Sequence, residues 1–444
     1  MRRVNIADLL ARMPAEPTLP TFAQMHERTR RLAGRPGVEV RVVGEDRIGA
    51  PIEMISMGDG PLSVLIVGAP HPNEPVGCAA IEWLAEELAA DAPLRERSGC
   101  RWHFIKAIEP YALQQNEGWF EQRDVATYFQ HYYRPPGDAQ AEYAFPPASA
   151  AAGAWRASPE NEAYQQALRI ARPNLLASLH NSEGSGAFYF LTRDDAVLAD
   201  RLSAQAASHG LPLNLYGEQG PDVREAPLAP GVFLLQSPGQ ATEERDATPG
   251  RSVTDWLADQ PGPSPTFLVP EVPNFLDRTA GLRHPSMAAC LDSLVALDWR
   301  GTMDALLAEH LVSLAPEATP LEQLYLRGIA ESAKYSRLAL EALMALPVAT
   351  DDPARAQAHV RADLLLALRP VAMTRRLAAM RAAREDLSDL AAPARACEAT
   401  CARTLTTALA SPMLRDAFQP VPLRAAVAAQ LDAVLATVHA LAAA

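Results

Sequence analysis

The chain has 444 residues, of which 48% are hydrophobic, and a formal net charge of −13 at pH 7. This length leaves room for two or three domains and for a substantial core. The negative charge argues against a general nucleic-acid-binding protein, because such proteins present positive surfaces to the phosphates.

Signals of export and of membrane insertion are also lacking. The N-terminal residues have no sustained apolar region and no small-residue cleavage site, so they do not resemble a secretory signal peptide. No uncharged apolar stretch is long enough to span a bilayer. The five cysteines are odd in number and mostly scattered, which favours a reducing compartment. We therefore expect a cytoplasmic protein that binds no membrane.

The first 314 residues alternate between strand and helix patterns. Short helices are predicted over residues 1–35, as an N-terminal helical segment. Strands are then predicted at 38–43, 52–57, 62–67 and 103–108, before His180, and at 188–191 and 266–269, with helices at about 76–90, 160–172 and 194–208 and another near Pro285. Gly58, Asp59 and Gly60 predict a hairpin between the second and third strands. The irregular segment from about 109 to 158 is long enough to favour a functional role.

Beyond about residue 315 the pattern becomes entirely helical. Amphipathic helices are predicted at 321–346, 353–368, 371–390, 393–409 and 422–441, separated by prolines. We expect an α/β fold with a mixed sheet flanked by helices over 36–314, and an all-α helical bundle over 315–444. The bundle could support a homo-oligomer.

A candidate metal site combines two strand ends. His71 and Glu74 follow the strand at 62–67 on a strand-to-helix turn, and His180 ends another apolar run. Two imidazoles and one carboxylate can hold zinc and leave its fourth position open for water. Alternatively, His71 is a turn residue, Glu74 favours the start of a helix through the helix dipole, and His180 is a hydrogen-bonded core histidine.

Glu271 follows the predicted strand at 266–269 and lies between two prolines. A carboxylate at a strand end can face the zinc water without binding zinc, and can move a proton from that water to a leaving amine. The alternative is that Glu271 caps a loop or pairs with an arginine.

Several stretches of the chain resemble motifs of the zinc carboxypeptidase family, whose fold is shared by aspartoacylase-like deacylases. They are His71-Pro72-Asn73-Glu74-Pro75-Val76-Gly77, Ser178-Leu179-His180-Asn181 and Val269-Pro270-Glu271, and residues 47–52 are similar to the family's opening hairpin. The resemblance covers roughly residues 35–310. It implies a carboxypeptidase-like catalytic domain over 36–314, one zinc ion per chain bound by His71, Glu74 and His180, and Glu271 as general base and acid.

The chain departs from the family pattern where the family grips a substrate carboxylate. No adjacent Asn-Arg pair occurs in 109–180, and the family's Asn-Pro-Asp-Gly stretch is replaced by residues 108–112. Both peptide cleavage and deacylation of a small-molecule amide therefore stay open.

A zinc hydrolase also needs a donor that faces the developing oxyanion. Arg134, in the long irregular segment, is the first candidate, because a guanidinium suits both oxyanions and carboxylates. A surface arginine stacked on a neighbouring tyrosine is the alternative. Arg123, Asn116 and Asn181 are candidates for substrate binding, and an ordinary loop role is the alternative for each.

We therefore predict a zinc-dependent hydrolase of an amide or peptide bond. One alternative is a catalytically silent scaffold whose helical bundle binds a partner protein. Another is a serine hydrolase that uses Ser182 or Ser185, although no nucleophile-elbow pattern supports it. Cys397 and Cys401 lie four residues apart on one helix face, but no histidine or further cysteine is near in sequence, so core packing is expected for this pair.

Overall fold

The structure is a computed structural model. It describes residues 4–147, 155–184, 186–215, 227–235, 250–278, 298–344, 353–411 and 414–443. Cys290 and the helix predicted near Pro285 lie outside these residues.

A mixed sheet of nine strands forms the centre of the described chain. The strands are β1 (Val38–Glu45), β2 (Pro51–Met57), β3 (Leu62–Gly68), β4 (Cys100–Ile105), β5 (Leu175–Gly184), β6 (Phe188–Leu191), β7 (Val232–Leu234), β8 (Thr266–Asp277) and β9 (Phe418–Pro420). Their order is β1-β2-β4-β3-β5-β8-β6-β7, and β9 pairs with β8. The central strands β4, β3, β5 and β8 run parallel, whereas β1, β2, β6 and β9 each pair antiparallel with a neighbour. The predicted mixed α/β sheet is therefore confirmed.

Helices cover both faces of this sheet and continue beyond it. They are α1 (Ile6–Ala11), α2 (Phe22–Leu32), α3 (Val76–Ala90), α4 (Ala92–Arg97), α5 (Pro110–Gln114), α6 (Val125–His131), α7 (Pro159–Ala171), α8 (Ala196–Ser208), α9 (Val253–Ala258), α10 (Trp299–Ala305), α11 (Leu311–Leu314), α12 (Pro320–Met344), α13 (Pro353–Ala382), α14 (Ser388–Leu409) and α15 (Leu423–Leu441). In the part of the chain that the structure covers, every helix is too short or too polar to cross a bilayer.

The apolar run of β3 is explained by burial on both faces. Val64 and Ile66 belong to the cluster that includes α3, α8 and α15, whereas Leu65 and Val67 belong to the cluster that includes α7. Successive side chains of a strand point to opposite faces, so a strand covered on both sides is apolar throughout.

The hairpin predicted at residues 58–60 is wrong, because β4 lies between β2 and β3. The connecting turn passes against the start of β4. A Cβ atom at Gly58 would lie 2.5 Å from the Cys100 carbonyl oxygen, and one at Gly60 would lie 2.1 Å from Gly99. The glycines thus permit a close backbone approach rather than a two-stranded turn.

The C-terminal helices are present, but they divide differently from the prediction. Residues 353–382 form the single helix α13, with Pro370 inside it, where two helices were expected. Helix α13 packs on both α12 and α14, whereas α15 packs on α3, α8 and the sheet. The domain boundaries and the homo-oligomer stay predictions.

Candidate metal centre

Three neighbouring strands deliver the residues of the candidate site. His71 and Glu74 follow β3, His180 lies on β5, and Glu271 lies on β8. His180 and Glu271 are partners in the parallel register of β5 and β8. The carboxyl end of a parallel sheet thus gathers residues that lie 200 positions apart in sequence, from 71 to 271.

The turn between β3 and α3 fixes Glu74. Ala69 adopts a φ of 47°, an uncommon left-handed conformation for a residue with a side chain, and the Glu74 amide donates to the His71 carbonyl at 3.0 Å. Asn181 connects this turn to β5. Its side-chain oxygen accepts from the Val76 backbone amide at 3.1 Å, and its backbone amide donates to Glu74 Oε2 at 3.1 Å.

The side chains of His71, Glu74 and His180 converge on one buried point. One ligand atom from each residue lies within 4.8 Å of the others, and all three side chains are buried. His71 Nδ1 is buried and has no hydrogen-bond partner among the described residues. A buried nitrogen of this kind costs free energy unless something binds it. Two imidazoles, one of them with an unpartnered nitrogen, and one carboxylate fit a zinc ion.

The electrostatic surroundings of His71 favour a neutral ring. Burial lowers the pKa of His71 well below its usual value, and Arg134 and His180 lower it further. A neutral imidazole is the form that binds metals.

His180 lies among three carboxylates. Its Nδ1 is 3.1 Å from Glu74 Oε2 and 3.6 Å from Glu271 Oε1, and its Nε2 is 3.0 Å from Glu142 Oε2. Burial lowers the pKa of His180, but Glu142 and Glu74 outweigh burial and raise it well above its usual value.

Glu142 was missed by the sequence reasoning. It belongs to the long irregular segment, and neither spacing nor a neighbouring strand marks it. A carboxylate beside one imidazole nitrogen orients the ring so that the other nitrogen faces a metal, and Glu142 Oε2 is 3.0 Å from His180 Nε2. The adjacent Tyr143 stacks on His71 at 5.5 Å between ring centroids. The only feature of the sequence that pointed toward Glu142 was the predicted functional role of the segment from about 109 to 158.

Arg134 lies where the sequence reasoning expected a cation. Its Nη1 is 3.4 Å from Glu74 Oε1, and its Nε donates to Gln140 at 3.3 Å. Burial lowers the pKa of Arg134, but Glu74, Tyr132 and Tyr143 together outweigh burial and raise it above its usual value. Arg134 is therefore a buried cation at the edge of the cluster.

The other predicted site residues form hydrogen bonds within the protein. The Asn116 side chain is fully buried and bonds to the backbone of Ala112 and Tyr133. Arg123 donates to the Val421 carbonyl at 2.9 Å, and burial lowers its pKa to about 10. Asn181 also donates to the Val272 carbonyl. Substrate contact by these three residues stays a prediction.

The alternative serine nucleophiles lie in a different context from a nucleophile elbow. Ser182 is inside β5, in register with Pro273, rather than on a turn from a strand to a helix. Ser185 lies outside the described residues.

The C-terminal helices also reach the strands of the site. Arg369 of α13 pairs with Glu183 of β5, with Nε donating to Oε1 at 2.8 Å, and Glu183 accepts from Tyr128 at 2.8 Å. Gln430 of α15 donates to the His180 carbonyl at 2.8 Å and to the Pro270 carbonyl at 3.4 Å. Helices α13 and α15 therefore hold β5 and β8 in place through these contacts.

No protein-family model matches the chain. No curated protein matches it either. Among solved structures, the chain is similar to a metallo-carboxypeptidase from Burkholderia cenocepacia, with 14% identity, 57% of this chain and 60% of that chain covered, and a TM-score of 0.35. It is similar to carboxypeptidase A from Helicoverpa armigera, with 14% identity, coverage of 61% and 69%, and a TM-score of 0.38.

A third similar structure is the murein-tripeptide amidase from Escherichia coli, with 17% identity, coverage of 58% of this chain and 88% of that chain, and a TM-score of 0.31. The chain spans only about three fifths of the length of the Burkholderia enzyme.

Proposed function

We propose that the chain is a zinc-dependent hydrolase of an amide or peptide bond. The observation that carries the proposal is the buried cluster of His71, Glu74 and His180, with the Glu271 carboxylate 3.6 Å from His180 Nδ1. Bound there, zinc supplies Lewis-acid activation of water and of a carbonyl group.

Glu271 carries the proton transfers of this reaction. It accepts the proton that the attacking water loses and donates it to the amide nitrogen as the C–N bond breaks. An amine and a carboxylic acid leave the site. The position of Glu271 on β8, beside the ligand of β5, supports this role because the strand register holds the two side chains together.

Arg134 stabilises the negative charge that develops on the carbonyl oxygen. Its guanidinium is at the edge of the cluster, and a buried cation acts strongly on charge in a site that excludes water. Glu74 holds Arg134 in place while also serving as a ligand.

The test is hydrolysis of a panel of N-acyl amino acids and short peptides. The amine that is released measures the rate. We expect Glu271→Gln to lower turnover by roughly 10²–10⁴-fold while zinc content stays unchanged. The exposed Glu162→Gln is the matched control and should match wild type. A chelator should abolish activity, and added zinc should restore it.

Full activity of Glu271→Gln, or activity that survives the chelator, would contradict the proposal. A catalytically silent scaffold would show no turnover with any of these variants, and Glu271→Gln would leave its binding of a partner intact.

A further inference from the structure

The structure brings a second group of metal-ligand side chains together, far in sequence from the first. His310, Cys397 and Cys401 each offer one ligand atom, and these atoms lie within 4.8 Å of one another. Cys397 and Cys401 are free thiols, both buried, on one face of α14. No histidine lies near this pair in sequence, but the fold brings His310 beside it.

His310 reaches the thiols through an irregular helix. It ends a π-helical turn, Leu306–His310, between α10 and α11, and α11 packs against α14. π-Helical turns are rare and occur frequently at functional sites. This turn places an imidazole beside two sulfur atoms that are one helical turn apart.

Core packing explains only part of this arrangement. Two buried thiols can pack as small apolar side chains. The half-buried His310 imidazole, however, has no hydrogen bond or ion pair in the described part of the chain, although a nitrogen of it lies within 4.8 Å of both sulfurs. A ring with an unused nitrogen beside two thiols is a ligand set rather than a core contact.

We propose that Cys397, Cys401 and His310 bind a second zinc ion, which ties the 299–314 segment to α14. The Cys-x₃-Cys spacing lies within the range of protein zinc sites. Two thiolates and a neutral imidazole carry a charge of −2, which balances Zn²⁺ and leaves a neutral complex. Binding displaces two thiol protons to solvent, and no oxidant or reductant is needed. This site is independent of the proposed hydrolase function.

Cobalt distinguishes the two sites, because only a thiolate site gives a sulfur-to-cobalt charge-transfer band in the near ultraviolet. The full-length, reduced His71→Ala/His180→Ala chain is titrated with Co²⁺. We expect this chain, which lacks the first site, to bind one equivalent and to show the band. Added Zn²⁺ should remove the band and raise the melting temperature, since a ligand that binds the folded state stabilises it.

Variants assign the band to residues. In the same background, Cys397→Ser and Cys401→Ser should lose it, and His310→Gln should lose or weaken it. Cys100→Ser, which removes a buried thiol elsewhere, is the matched control and should keep it. Circular dichroism checks that each variant is folded. Because His310 is only half-buried, His310→Gln leaves no cavity in the hydrophobic core. No band at saturating Co²⁺, or a band that survives in Cys397→Ser, would overturn the proposal.

Discussion

At the residue scale, the candidate site depends on carboxylates that orient imidazoles and a guanidinium. Glu142 holds His180 from one side while Glu74 and Glu271 face its other nitrogen. Glu109 then holds the segment that carries Glu142, because its Oε1 accepts from the Ala141 amide at 2.6 Å.

We predict that Glu142→Gln weakens zinc binding by roughly 10–100-fold, because it removes the charged partner of His180 Nε2. Competition with a chromogenic chelator measures the affinity, and Glu162→Gln serves as the exposed control. Unchanged affinity in Glu142→Gln would mean that Glu142 does not position His180.

A second prediction concerns pH and Glu109. Burial raises the pKa of Glu109 from its usual 4.5 to about 8, although Arg47 acts in the opposite direction. The folded pKa lies above the unfolded one, so the neutral acid's contribution to stability is complete below about 4.5 and is lost as the pH rises through about 8.

Glu109→Gln keeps the acceptor oxygen but cannot ionise. We therefore expect the free energy of unfolding of wild type to fall relative to the variant between pH 5 and 8, by at most roughly 1.4 kcal/mol per pH unit. Urea unfolding at several pH values measures this difference. A difference that stays constant with pH would contradict the buried, neutral Glu109.

At the element scale, the sequence predicted the strands and helices that carry His71, Glu74, His180 and Glu271. The apolar run of β3 is short and ends at Gly68, so local pattern suffices there, whereas β5 and β8 extend beyond their predicted ends to Gly184 and Asp277. It failed where distant elements decide the outcome. The chain crosses over through α3, so β4 and not β2 pairs with β3. Helix α13 continues through Pro370 because helix packing outweighs the free energy lost with the proline's missing hydrogen bond. Glu142 and Gln430 join the site only through the fold, so no local signal could reveal them.

The contact between α13 and β5 yields a third prediction. Arg369 and Glu183 form a buried ion pair, with 14% and 7% of their side chains exposed. Arg369→Met leaves Glu183 buried without its cation, so we expect a loss of about 3–5 kcal/mol in the free energy of unfolding. The Arg369→Met/Glu183→Gln double variant should lose less than the sum of its single variants.

The control for this cycle is Arg41→Met, which breaks an exposed pair with Glu39 and should cost at most about 1 kcal/mol. Chemical unfolding measures all four variants. Equal, small losses at both positions would show that α13 is not anchored to β5 by this pair.

At the scale of the whole molecule, the sheet and the C-terminal helices act together on one site. The strands deliver the ligands and Glu271, while α13 and α15 hold β5 and β8 through Arg369 and Gln430. Removing the C-terminal helices should therefore loosen the site itself and not only detach an appendage.

The central claim is that His71, Glu74 and His180 bind zinc. Elemental analysis of the purified chain tests it most directly, with wild type compared with His71→Ala, His180→Ala and Glu271→Gln. We predict that the two histidine variants each contain one zinc equivalent less than wild type, whereas Glu271→Gln contains as much as wild type. Equal zinc content in wild type and both histidine variants would contradict the claim.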